Sequence, residues 1–136
     1  MSDTVRLIRS DRLSDVAEYA YAATPEPGTR LVFLAGACPL DHAGRIVAPG
    51  DHAAQAAQVM DNLAAALDAA GATLADVVQT RVLVASAERA DLVTAWRVVR
   101  SRFGEHDAPS TLLGVTVLGY PDQLVEVEAI AAVAVA

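Results

Sequence analysis

The chain is expected to fold as one α+β domain over residues 1–136, a six-stranded mixed sheet with two helices on one face in the order βββαβαββ. Three observations carry this expectation. Two stretches repeat apolar residues at helical spacing, and a glycine follows each. Short runs rich in β-branched residues alternate with turn-forming clusters. A length of 136 residues suits one hydrophobic core and is too short for two comfortable ones. Two helices cannot cover both faces of six strands, so one face of the sheet is left available.

Val5 to Ile8 and Ala17 to Ala23 read as short strands and Arg30 to Ala35 as a stronger one, with Thr24-Pro25-Glu26-Pro27-Gly28 as the turn between the last two. Together they make a β-meander. Pro39 to Arg45 is a loop whose Pro, Asp and Gly suit tight turns, and Asp51 is placed to cap the helix that starts at His52. From His52 to Ala70, residues such as Ala56, Met60, Leu63 and Leu67 recur at helical spacing, and Gly71 stands where a C-terminal cap belongs. Val77 to Ala85 is rich in β-branched residues and reads as a strand. Asp91 to Phe103 is the second helix, with Leu92, Ala95, Trp96, Val99 and Phe103 on one side and Gly104 at its end. Thr111 to Leu118 and Leu124 to Ala136 are the final strands, around Gly119-Tyr120-Pro121-Asp122.

The last strand divides its side chains between two faces. Val125, Val127, Ala129, Ala131, Val133 and Val135 share one face and suit contact with the helices. Leu124, Glu126, Glu128 and Ile130 share the other, which is too apolar to be simply solvated and too charged to be a closed core. Contact with another subunit resolves that tension.

The composition is 54% hydrophobic but only 4% aromatic, so the core is built from Ala, Val and Leu. A formal charge of −7 opposes binding to nucleic acid, because phosphate contacts need clustered Lys and Arg. The apolar stretches near Leu31 to Leu40 and Ala129 to Ala136 fall short of the roughly 20 residues of a membrane helix. Met1-Ser2-Asp3-Thr4 shows no basic region followed by an apolar one, so no secretory signal is expected and a cytoplasmic location is. The single Cys38 has no partner in the chain for a disulfide, in keeping with a reducing compartment.

His42, His52 and His106 are isolated from one another, and Cys38 has no second thiol, so no metal site is expected. Cys38 itself reads as a small buried thiol rather than a nucleophile. No Walker A, dinucleotide or nucleophile-elbow motif is present. What remains is Glu126 and Glu128 on one strand face, with Tyr19 and Arg81 as polar members of other strands. Paired carboxylates can raise one another's pKa as acid–base chemistry requires, or simply be solvated. Arg81 is either a ligand contact or a partner for one of these glutamates.

Several segments together resemble the RidA/YjgF family of reactive-intermediate deaminases over nearly the whole chain. They are Leu31-Val32-Phe33-Leu34-Ala35-Gly36, Pro39-Leu40-Asp41, Ala54-Gln55 with Met60-Asp61-Asn62-Leu63, Ala69-Ala70-Gly71, and Val125-Glu126-Val127-Glu128-Ala129-Ile130-Ala131. The resemblance implies a chorismate-mutase-like fold, a homotrimer with small-molecule clefts between subunits, and hydrolysis of enamines or imines such as 2-aminoacrylate without a cofactor. It assigns Glu126 as the residue that orients water, and Tyr19, Gly36, Thr111 and Leu113 as ligand contacts. In the family an arginine of a Pro-x-Arg-Ser element binds the substrate carboxylate through its guanidinium fork. Here that stretch is Pro109-Ser110-Thr111-Leu112, which puts Thr111 at the arginine position and Leu113 where Cys or Thr is common. Arg81, or an arginine from a neighbouring subunit, is the candidate to hold the substrate instead. The departure makes the archetypal deamination weak or absent, and it leaves a non-catalytic binding or regulatory module as the alternative. A ribonuclease, another activity ascribed to the family, fits the acidic charge least.

Overall fold

The computed structural model describes residues 2–135. Its order of elements is β1 (Val5–Ile8), β2 (Ala22–Pro25), β3 (Thr29–Phe33), α1 (His52–Ala69), β4 (Val77–Ala85), α2 (Arg89–Phe103), β5 (Ser110–Val115) and β6 (Val125–Ala134), with one 3-10 turn over Leu74–Asp76. Ala136, the expected end of the last strand, lies outside the described residues.

The α+β class and the helices on a mixed sheet are as expected, but the single six-stranded sheet is corrected to two sheets. β1 and β2 form an antiparallel pair by themselves, while the main sheet has four strands in the order β3-β6-β4-β5. The reason lies at the end of β2, where its last residue Pro25 and the following Pro27 lack N–H donors and Gly28 turns the chain at φ +80°, so the ladder does not carry on into β3. The second strand is also displaced, beginning at Ala22 rather than Ala17. Tertiary contacts claim the earlier residues: the Ala20 N–H donates to the Asp107 carbonyl at 2.8 Å, and the Tyr19 ring meets Trp96 edge-on at 5.9 Å.

In the main sheet β6 lies antiparallel to both β3 and β4, and β5 joins β4 in parallel through the α2 crossover. Alternate residues of β4 and β6 point at the helices, and Val82, Val84, Val125, Val127, Ala129 and Ala131 are buried there against Ala56, Val59, Met60, Leu63, Ala95 and Val99. Small core residues let the two helices sit close to the sheet and to each other. Among the described residues no helix is long and apolar enough to cross a membrane.

The helix ends follow their local chemistry. Asp51 accepts the Ala54 N–H at 2.9 Å, capping the N-terminus of α1. At its other end Gly71 adopts φ +79°, the Ala72 N–H reaches the Leu67 carbonyl at 2.8 Å and the Gly71 N–H reaches Asp68 at 3.0 Å, which is a Schellman motif.

Two side-chain amides then tie α1 to the segments on either side of the Glu126 carboxylate. Gln55 donates to the Asp122 carbonyl at 2.9 Å and accepts the Leu124 N–H at 2.7 Å, fixing the chain as it enters β6. Asn62 donates to the carbonyls of Cys38 at 2.8 Å and Leu40 at 2.9 Å, fixing the loop after β3. Carbonyls held in this way by a helix side chain do not need water.

Candidate functional site

The sheet face away from the helices is open. On β3 it carries Leu31 and Phe33, 46% and 71% exposed, opposite Ala132 and Ile130 of β6. Across β6, β4 and β5 the register lays out two rows. Glu126, Leu83 and Leu113 form one, and Glu128, Arg81 and Thr111 form the next. With strands about 4.8 Å apart, the ends of each row are about 10 Å from one another at the backbone.

Glu126 is the best-held polar group on this face. Its Oε1 accepts from Gln123 Nε2 at 3.1 Å and from the Cys38 thiol at 3.3 Å. Oε2 accepts no hydrogen bond among the described residues and lies against Gly36. The loop is brought there by a bridge in which Ala37 and Val127 exchange backbone hydrogen bonds at 2.8 and 3.1 Å. That bridge sets Gly36 and Cys38 on the same side as Glu126, because both alternate with Ala37. A Cβ on residue 36 would stand 2.8 Å from Glu126 Cδ and 3.0 Å from Cγ, so the residue is a glycine for want of space.

Cys38 is not poised as a nucleophile. Burial first, then its hydrogen bond to Glu126 and the charge of that carboxylate, push its pKa from an ordinary 9.0 up to about 11. At neutral pH it is a thiol that donates to Glu126. The expectation of a small thiol outside nucleophilic chemistry agrees with this, although Cys38 is half-buried rather than enclosed.

Arg81 reaches towards Glu128 across the ladder, with Nε 3.9 Å from Oε1. Both side chains are about half exposed, and the separation is an ion-pair contact rather than a hydrogen bond. On its other side Arg81 pairs in register with Thr111. A hollow of about 380 Å³ at the β5 edge is lined by Tyr19, Trp96 and Thr111 among others, so Tyr19 and Thr111 border one space. A separate depression of about 200 Å³ lies over Phe33, Arg81, Glu128 and Ile130.

The residues singled out in the sequence are thus gathered in pairs: Glu126 with Gly36, Arg81 with Thr111, and Tyr19 with Thr111. Leu113 is level with Glu126 but two strands away. Gln123, Cys38 and Asn62 contact Glu126 or the loop beside it, a place that the reading of the sequence did not give them. Only Cys38 had a usable signal, its spacing of two from Gly36 at a strand end; Gln123 and Asn62 act through contacts that only the folded chain makes. Among the described residues no three His, Cys, Asp or Glu side chains gather as a metal-binding group.

Comparison with known proteins agrees with this architecture. The family model described as Endoribonuclease L-PSP matches residues 10–133. A RutC family protein of Pyrococcus horikoshii is 35% identical over 100 residues, covering 74% of this chain and 77% of the relative. Among solved structures, a Rid-family protein of unknown function from Yersinia pestis superposes with a TM-score of 0.87 at 30% identity, covering 96% of this chain and 99% of that one. The YjgF gene product of E. coli gives a TM-score of 0.64 at 29% identity over 93% of this chain and 97% of its own. Matched along nearly its whole length in sequence and in fold, the chain belongs to the RidA/YjgF, or endoribonuclease L-PSP, family.

Proposed function

We propose that the chain assembles as a homotrimer whose inter-subunit clefts bind a small imine or enamine and hydrolyse it, with Glu126 orienting the attacking water. The observation that carries this reading is the state of the Glu126 carboxylate. Gln123 and Cys38 immobilise one oxygen, and the other, beside Gly36, has lone pairs uncommitted among the described residues. A carboxylate held in one orientation is what placing a water against an electrophilic carbon requires.

The reaction balances with these groups alone. Water forms a C–O bond to the imine carbon as the C=N electron pair moves to nitrogen, and Glu126 Oε2 takes the water's proton. Returning that proton to nitrogen gives the carbinolamine; Glu126 then takes the carbinolamine hydroxyl proton and passes it to nitrogen as the C=O bond forms and the C–N bond breaks, giving a carbonyl compound and ammonia. Tyr19, Thr111 and Leu113 line the ligand space, Arg81 offers donors to it, and the Gly36 backbone supplies an N–H.

Assembly rests on the open sheet face. Leu31 and Phe33 are exposed there beside half-buried Ile130, an apolar surface that a second and third copy would cover. Light scattering at micromolar concentration should give three times the 14.1 kDa of one chain, and a monomer would overturn the assembly. For the chemistry, purified protein should speed ammonia release from an imine, and Glu126→Gln should lower kcat about a hundredfold while leaving the trimer intact. An unchanged rate in that variant would remove Glu126 from the mechanism.

A second reading is favoured by Thr111: a binding or regulatory module that keeps the cleft without deaminating 2-aminoacrylate. Replacing a bidentate guanidinium contact forfeits on the order of 1.5 to 3 kcal/mol, about a ten- to hundredfold loss of affinity for a carboxylate. The Thr111→Arg variant separates the two. Activity on 2-aminoacrylate in the variant alone supports the module, and full activity in the unaltered protein refutes it.

A further inference from the structure

The polar groups of the open face carry a charge pattern that bears on what the site accepts. In register on that face, β3 contributes Leu31 and Phe33 and β5 contributes Thr111 and Leu113, all uncharged. The charged groups are Glu126 and Glu128 on β6 and Arg81 on β4. Two carboxylates against one guanidinium leave a negative surplus, and the guanidinium is already offset by Glu128 at 3.9 Å. Beside these charges stand Leu83 and the Thr111 hydroxyl, in register with them, and the Cys38 thiol, held neutral.

From this we infer that the substrate is the imine or enamine of a carbonyl compound that bears no carboxylate, and that it is bound in its neutral or iminium form. The inference rests on the hydrolytic reading of Glu126 and narrows its substrate class. A carboxylate brought to this face meets Glu126 and Glu128 and must compete with Glu128 for Arg81. An iminium cation meets the opposite situation: the surplus negative charge favours the protonated nitrogen, which is also the more electrophilic form at carbon. Arg81, turned partly to Glu128, can still donate to a carbonyl or hydroxyl oxygen of an uncharged ligand.

The test compares two imines made in situ, one from an L-amino acid by an L-amino-acid oxidase and one from benzylamine by a flavin-dependent amine oxidase, which releases the free imine. Semicarbazide trapping competes with hydrolysis in each. The carboxylate-free imine should be hydrolysed with a kcat/KM at least tenfold above that of the 2-imino acid. Glu128→Gln, which removes one carboxylate and releases Arg81, should narrow that ratio about tenfold, and Glu128→Gln with Arg81→Gln should restore it. Equal or better hydrolysis of the 2-imino acid by the unaltered protein overturns the inference and leaves the hydrolytic reading standing. Acceleration of neither imine overturns both. A ratio unmoved by Glu128→Gln overturns the electrostatic cause and with it the inference, because shape alone would then set the preference.

Discussion

Replacing Gly36 by alanine tests the architecture of the site at its tightest point. The added methyl would stand 2.8 Å from Glu126 Cδ and 3.0 Å from Cγ, distances at which the neighbour has to move. What it meets is a side chain and not backbone, so the outcome is a rotation of Glu126 rather than a broken sheet. That rotation forfeits the hydrogen bonds from Gln123 at 3.1 Å and Cys38 at 3.3 Å. Hydrogen bonds to a charged group contribute about 1.5 to 3 kcal/mol each when buried, and Glu126 is only half-buried, so water replaces part of the loss. The expected cost is about 1 to 3 kcal/mol in total, with a fall in kcat/KM of about a hundredfold because the carboxylate no longer holds its orientation. Urea unfolding of the four members of a cycle, at one chain concentration, isolates the cause: unaltered protein, Gly36→Ala, Glu126→Ala and the double variant. With the Glu126 carboxylate gone the methyl finds room, and Gly36→Ala should then cost under about 0.5 kcal/mol. An equal cost in both backgrounds would refute the packing of Glu126 on Gly36.

Asn62→Ala should leave the Leu40 carbonyl without its side-chain donor and the Cys38 carbonyl with only the Leu40 N–H, at 2.9 Å, and lower stability by about 1 to 3 kcal/mol in urea. It should also reduce imine hydrolysis while the oligomer persists by light scattering, since it loosens the loop that carries Gly36 and Cys38. Gly71→Ala should cost about 1 kcal/mol by forcing a side chain into φ +79°, read as a lower urea midpoint with the slope unchanged. The Cys38 thiol should show an alkylation midpoint near pH 11 instead of 9.0, and Glu126→Gln should move it down. Because its folded pKa is raised, its contribution to stability is present below about pH 9 and is lost as the pH climbs towards 11.

Local signals account for most of the elements. Both helices begin or end within two residues of their expected positions, as do β4 and the described part of β6, because caps and side-chain periodicity act over a few residues. The N-terminal region departed from expectation for a reason no short window contains. Ala17 to Tyr21 had the composition of a strand, yet Asp107 and Trp96, far along the chain, took up its backbone and its Tyr19 ring. β5 ends at Val115 rather than Leu118, three residues before the expected limit.

The site divides in the same way. That Glu126 and Glu128 share the face of β6 opposite the helices was legible because strand alternation acts on positions in one dimension. Their partners were not: Gln123 and Cys38 come to Glu126 only once the bridge between Ala37 and Val127 forms, and Asn62 reaches the loop after β3 only once α1 lies over it. By itself, the sequence determined the fold class, the two helices and the face of β6 that is buried. Tertiary structure decided the division into two sheets, the seating of Glu126 on Gly36 and the pairing of Arg81 with Glu128 beside Thr111. The physical reason is that periodicity and capping are properties of neighbours along the chain, whereas register, close approach and the balance of charge on a face exist only after distant strands have met.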